Sequence, residues 1–131
     1  TRGVNKYHII RATLDSITYE IGDVLSAMEA DAGIKLSTLK VDGGASANNY
    51  LMQTQADISA APVDRPKCVE TTAAGAAYLA GLAVGFWENQ KSIKAIRETD
   101  RVFTPSLPEE KRLARLAGWE KAVGCTRGWA K

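Results

Sequence analysis

Thr38-Leu39-Lys40-Val41-Asp42-Gly43-Gly44-Ala45-Ser46-Ala47-Asn48-Asn49 is the stretch from which the rest of the chain is read. Leu39 and Val41 alternate with Thr38, Lys40 and Asp42, which is the period of a strand with one covered face. The alternation breaks at Gly43-Gly44, and Ser46 is a candidate cap for the helical pattern that follows. A strand over 38–42, a tight turn and a helix from near Ser46 are expected. Glycine lets backbone approach a ligand, and the first N–H groups of a helix have no internal partner, so such a turn suits an anion such as a nucleotide phosphate. The spacing is neither G-x-G-x-x-G nor a Walker A sequence, so on residues alone an ordinary strand-to-helix turn stays open.

Working outward, the segment from Val4 to Ala32 places Ile10, Leu14, Ile17, Ile21, Val24, Leu25 and Met28 at helical spacing, with Gly33 as its stop. Downstream, Leu51, Met52, Ala56 and Ile58 form the inner face of the helix after the turn, and Gln53, Gln55 and Asp57 are its wet positions. Ala61 to Pro66 reads as a short second strand parallel to the first, bounded by prolines. From Ala73 to Phe86 small residues occur all round, which calls for a helix covered on most sides. Ile93 and Ile96 mark a short helix, and Val102 to Pro105 an extended crossing. Pro108, Glu109 and Glu110 open a last helix whose inner face is Leu113, Leu116, Trp119 and Val123. Helix, strand, helix, strand, helix is α/β order, yet two short strands are too few to cover these helices.

Composition narrows the function. Of 131 residues, 17 are Lys or Arg and 15 Asp or Glu, interspersed, for a net charge of +2; no basic face for nucleic acid is indicated. Cys68 and Cys125 stand far apart with a single histidine, His8, in the chain, so free thiols are expected rather than a metal site or disulfide framework. The longest apolar run, Ala73 to Trp87, is too short to span a bilayer. No membrane partner and a cytoplasmic location are the resulting expectations. His8 has no Asp, Ser or Cys placed to work with it, and no chemistry is assigned to it.

Taken together, Thr1-Arg2-Gly3, His8 to Asp15, Val41-Asp42-Gly43-Gly44-Ala45, Ala47 to Gln53, Gly75 to Trp87 and Ala117-Gly118-Trp119 resemble the C-terminal part of the FGGY carbohydrate kinases. The match around Tyr78 to Trp87 points, within that family, to kinases that act on glycerol. The resemblance implies part of a ribonuclease H-like domain of the actin and hexokinase kind, with short, mostly parallel strands, several packed helices and a C-terminal helix. It implies that residues 1–131 are the latter portion of the second, ATP-binding domain, with the N-terminal domain and the catalytic base, polyol site and magnesium ligands lying upstream of Thr1. No catalytic and no metal-binding residue is therefore assigned. The family's nucleotide contacts fall on Gly44, at the phosphate and sugar side, and Asn48, at adenine, with Gly43 making the turn and Asp42 ordering it. ATP and magnesium are the implied cofactors and glycerol the implied acceptor, and the uncovered helix faces lead us to expect a homo-oligomer. Another FGGY sugar kinase, or a non-enzymatic ATP-binding or association module of the actin and Hsp70 type, would share the glycine turn.

Overall fold

The helix after the glycine turn is the centre of the molecule. A computed structural model describes residues 2–128; Thr1, where the resemblance begins, and residues 129–131 lie outside it. The elements are α1 (Lys6–Ala32), β1 (Leu39–Lys40), a 3₁₀ turn (Gly44–Ala47), α2 (Asn49–Ser59), β2 (Val63–Pro66), α3 (Thr71–Ala83), α4 (Gln90–Ile96), β3 (Thr99–Phe103) and α5 (Glu109–Thr126). Helix α2 lies between α1 on one side and the sheet on the other. That position explains a departure from the expected pattern, because two covered faces bury Thr54 and Gln55 as well as Leu51, Met52, Ala56 and Ile58. Gln55, expected to be wet, is 2% exposed, and its Nε2 is a buried donor without an acceptor.

The sheet has the order β1-β2-β3. β1 and β2 are parallel, Leu39 beside Val63 and Lys40 beside Asp64, as expected. The segment read as an extended crossing is a third strand, β3, antiparallel to β2, so the sheet is mixed. Its register is Val63 beside Phe103 and Arg65 beside Arg101, and it slips between Arg65 and Pro66, where proline has no N–H for the ladder. β1 is shorter than expected: only Leu39 and Lys40 are in strand pairing, while Val41 still donates to Asp64 O at 3.2 Å. Leu51, Met52, Ala56, Val63 and Phe103 form the core, with Leu39 and Val41 packed on it.

Helix α1 starts at a capping box in which Asn5 Oδ1 accepts from the Tyr7 and His8 amides and the His8 ring reaches back to the Asn5 amide. It ends at Gly33, φ 67°, as expected. Its inward stripe keeps only Leu14 and Leu25 of the one that hydrophobicity marks. Leu14, Asp15, Thr18, Gly22 and Leu25 turn inward, and Gly22 comes so close to α2 that a Cβ would meet Ile58 at 3.3 Å. Close helix contact favours small residues, so the greasy stripe is displaced, and Ile10, Val24 and Met28 stay more than half exposed. Tyr50 donates its hydroxyl to Asp15, which also pairs with Arg11 at 3.1 Å, tying α1 to α2.

Helix α3, expected to be enclosed, is the least covered: Leu79 is 71% exposed, and Gly81 alone is buried, under the Trp87 indole. Ala74, Gly75 and Tyr78 share a hollow with Ile93 and Ile96 of α4, and most of the remaining small-residue surface of α3 is exposed among the described residues. Helix α5 lies on α1 through the stacked rings of Tyr19 and Trp119, 5.4 Å apart, and a 2.8 Å bond from Trp119 Nε1 to Asp23. Leu113, assigned to its inner face, is exposed. Among the described residues no helix is long and apolar enough to cross a membrane.

Candidate functional site

The turn after β1 is held in a conformation that only glycine adopts easily. Gly43 has φ 78° and ψ 168°, a region essentially closed to side-chain-bearing residues. Its N–H donates to Val69 O at 2.7 Å, and its carbonyl accepts from both the Ser46 amide (3.0 Å) and the Ser46 hydroxyl (2.7 Å). Ser46 is thus a buried strut inside the 3₁₀ turn, not the helix cap expected of it. The turn itself delays the helix by three residues, and Asn48 caps α2 instead, Oδ1 accepting from the Leu51 amide at 3.2 Å. Asp42 accepts a hydrogen bond from the Thr71 hydroxyl, which orders the strand exit as anticipated.

Gly43, Gly44 and Asn48 are therefore brought together, with distinct duties. The Gly43 amide is already engaged. Among the described residues, no group accepts from the amides of Gly44 and Ala45, and both residues are exposed. Gly44 needs no glycine for its own backbone, since its φ is ordinary and a Cβ there would meet nothing within 4 Å. A bare position of this kind is what close approach of a ligand calls for. The Asn48 carboxamide spends its oxygen on the cap and keeps its Nδ2 donor without a partner among the described residues.

Arg65 is the residue that the sequence reading passed over. Its side chain is 11% exposed, and from β2 it donates through Nη1 to the carbonyls of Ser46 (2.9 Å) and Ala47 (3.3 Å) and to Asn49 Oδ1 (2.9 Å). Nε and Nη2 grip Asp100 of β3 at 2.8 and 2.7 Å, and the guanidinium lies 5.1 Å from the centre of the Phe103 ring. A signal was present: strand alternation puts Arg65 on the same face as Val63, so a charge had to be buried there and therefore partnered. Beside it, burial pushes the Asp64 carboxyl up, but hydrogen bonds from Arg97 (2.7 Å) and Thr99 (3.1 Å) win and hold it below the usual carboxylate range.

Two hollows flank the turn. One of about 320 Å³ is bordered by Ala47, Asn49, Arg65, Lys67, Val69 and Asp100. The other, of about 210 Å³, is bordered by Lys40, Asp42, Pro66, Thr71 and Arg97. Lys67 and Arg97 are each paired with an acid, Glu98 and Asp64, leaving Lys40 as a cation of this rim with no ion pair among the described residues. The same residues offer no three His, Cys, Asp or Glu side chains that converge as a metal site.

Residues 1–84 match the family described as the FGGY family of carbohydrate kinases, C-terminal domain. The chain is 63% identical over its full length to a glycerol kinase of Agathobacter rectalis and 61% identical over 130 residues to one of Vibrio cholerae. It spans about a quarter of these curated relatives, 26% of each. Among solved structures, 97% of the chain superposes on 26% of the glycerol kinase of Plasmodium falciparum with ADP, at TM-score 0.86 and 35% identity. A xylulose kinase of Lactobacillus acidophilus, 22% identical with TM-score 0.74, shares the fold. By these matches the chain belongs to the FGGY family of carbohydrate kinases.

Proposed function

We propose that the chain is the nucleotide-holding C-terminal portion of a cytoplasmic kinase that moves the γ-phosphoryl of ATP to glycerol. The observation that carries this reading is the turn at Gly43-Gly44, where the Gly44 and Ala45 amides have no acceptor among the described residues and the Asn48 side chain follows within one turn. The identity to glycerol kinases along the whole chain supports glycerol over a pentulose as acceptor. In this reading the Gly44 and Ala45 amides receive phosphate oxygens, whose negative charge they stabilise without adding a counter-charge of their own. Asn48 Nδ2 donates to the adenine. Phosphoryl transfer depends on positioning and charge stabilisation, so the contribution of this segment is to fix the nucleotide in line with an acceptor held elsewhere. The base, acceptor site and magnesium ligands would be supplied by the remainder of the enzyme, and magnesium would there offset the charge of the nucleotide phosphates.

A non-enzymatic ATP-binding protein would use the turn in the same manner but has no need of 63% identity to a glycerol kinase along the whole chain. The deciding experiment is an ATP-dependent phosphorylation assay of the full-length protein with glycerol and with xylulose. Formation of glycerol 3-phosphate as the preferred product is expected. ATP binding with no transfer to either acceptor, or preference for xylulose, would overturn the assignment.

A further inference from the structure

We infer that Arg65 is a positioning residue for the nucleotide: through the 3₁₀ turn it sets the direction in which the Gly44 and Ala45 amides point. This rests on the nucleotide reading above and goes beyond it, since Arg65 itself touches no proposed ligand atom. The turn is fastened at two ends. At its entrance the Gly43 amide is tied to Val69 O and Asp42 to Thr71. At its exit the only side-chain anchor among the described residues is Arg65, whose Nη1 collects the Ser46 and Ala47 carbonyls and Asn49 Oδ1.

Four features make the clamp specific to a guanidinium. The rigid fork meets acceptors on two sides at once, the turn through Nη1 and Asp100 through Nε and Nη2. The carbonyls it binds, those of Ser46 and Ala47, lie together at the exit of the turn, where a cation offsets their partial negative charge. Asp100 comes from β3 and Arg65 from β2, so the turn is referenced to the core sheet rather than to its own loop. Finally, the side chain is nearly buried over Phe103, which removes alternative rotamers. A lysine in that place would hold one side of the clamp at a time.

The test uses the full-length enzyme and four proteins: wild type, Arg65→Lys, Asp100→Asn and Gly44→Ala. ADP affinity is measured by calorimetry, and KM for ATP, KM for glycerol and kcat by steady-state assay. Misplaced amides predict a KM for ATP and an ADP dissociation constant raised about tenfold in Arg65→Lys and about threefold in Asp100→Asn, with KM for glycerol and kcat within about twofold of wild type. Asp100 is partly exposed and its asparagine still accepts a hydrogen bond, so that variant folds even if Arg65→Lys is poorly soluble. A purely structural role would lower the melting temperature and the active fraction, hence kcat, while leaving both nucleotide constants unchanged; that result would overturn the inference. If Gly44→Ala weakens ADP and the two clamp variants do not, the inference fails and the nucleotide reading stands. If Gly44→Ala also leaves ADP binding unchanged, the nucleotide reading itself fails.

Discussion

The two adjacent glycines should fail in different ways when each is replaced by alanine. At Gly43, φ 78° and ψ 168° put an added Cβ in a region that L-residues avoid, although no neighbour crowds it. The penalty is backbone strain of about 2 kcal/mol, read as a melting temperature lowered by a few degrees in the full-length protein. At Gly44 the backbone is ordinary and the space is open, so alanine there restricts the unfolded chain and stabilises by roughly 0.5 kcal/mol. The loss appears only when ligand is present. A phosphate oxygen accepting from the Gly44 amide sits within contact range of the new methyl, and forfeiting one charge-assisted hydrogen bond costs about 1.5 to 3 kcal/mol. That is on the order of ten- to a hundredfold in ADP affinity. Thermal melts without nucleotide, followed by ADP titration calorimetry on the same preparations, separate the two. If Gly44→Ala binds ADP like wild type, or melts as early as Gly43→Ala, the division of labour drawn from the turn is wrong.

Asn48 can be dissected in the same spirit, because Asn48→Ser keeps a capping oxygen for the Leu51 amide but loses Nδ2; stability within about 0.5 kcal/mol of wild type and a several-fold higher KM for ATP are expected, and an unchanged KM would remove Asn48 from the adenine site. The 131-residue chain by itself should show no glycerol phosphorylation above background and should self-associate through its uncovered helix faces, which a compact monomer in sedimentation velocity, or any turnover, would contradict. Asp64 supplies a pH prediction. Its folded pKa is depressed, so its contribution is complete above the ordinary carboxylate value, near pH 4, and is lost as pH falls through the lower folded value. Asp64→Asn should accordingly flatten the acid limb of the melting temperature against pH, and an unaltered limb would show that other carboxylates control it.

Much of this arrangement could be read before any coordinates, and the misreadings have common causes. The glycine pair, the parallel pairing of the strands on either side of α2, and Gly33 as the stop of α1 follow from local rules, which need no partner to operate. Ser46 was misplaced because a serine after a glycine turn fits either a cap or a 3₁₀ strut, and only the position of Gly43 O decides between them. Gln55 and the stripe of α1 were misread for a different reason. Hydrophobic periodicity reports which face could be buried, whereas Thr18 and Gly22 are inside because helices pack closest over small residues. β3 escaped as a strand because Thr99 to Arg101 is polar and exposed, and pairing with β2 is settled across the sheet. The exposed apolar surfaces of α1 and α3 agree with the expectation, drawn from two short strands, that this chain alone cannot cover them.

The stitch from the Gly43 amide to Val69 O joins two regions of unequal permanence. On one side stand α2, β2 and β3, whose amides lie in the core or the ladder and open only with the whole unit. On the other, Val69 leads into α3, which is tied at its start by Thr71 to Asp42 and is otherwise mostly exposed. In hydrogen-exchange terms the chain should divide into a slow half and a fast half, with the glycine turn as the seam. A nucleotide seated on that seam would slow exchange not only at Gly44 and Ala45 but along the first turn of α3, so that occupancy of the phosphate site would be recorded in amides that never touch it.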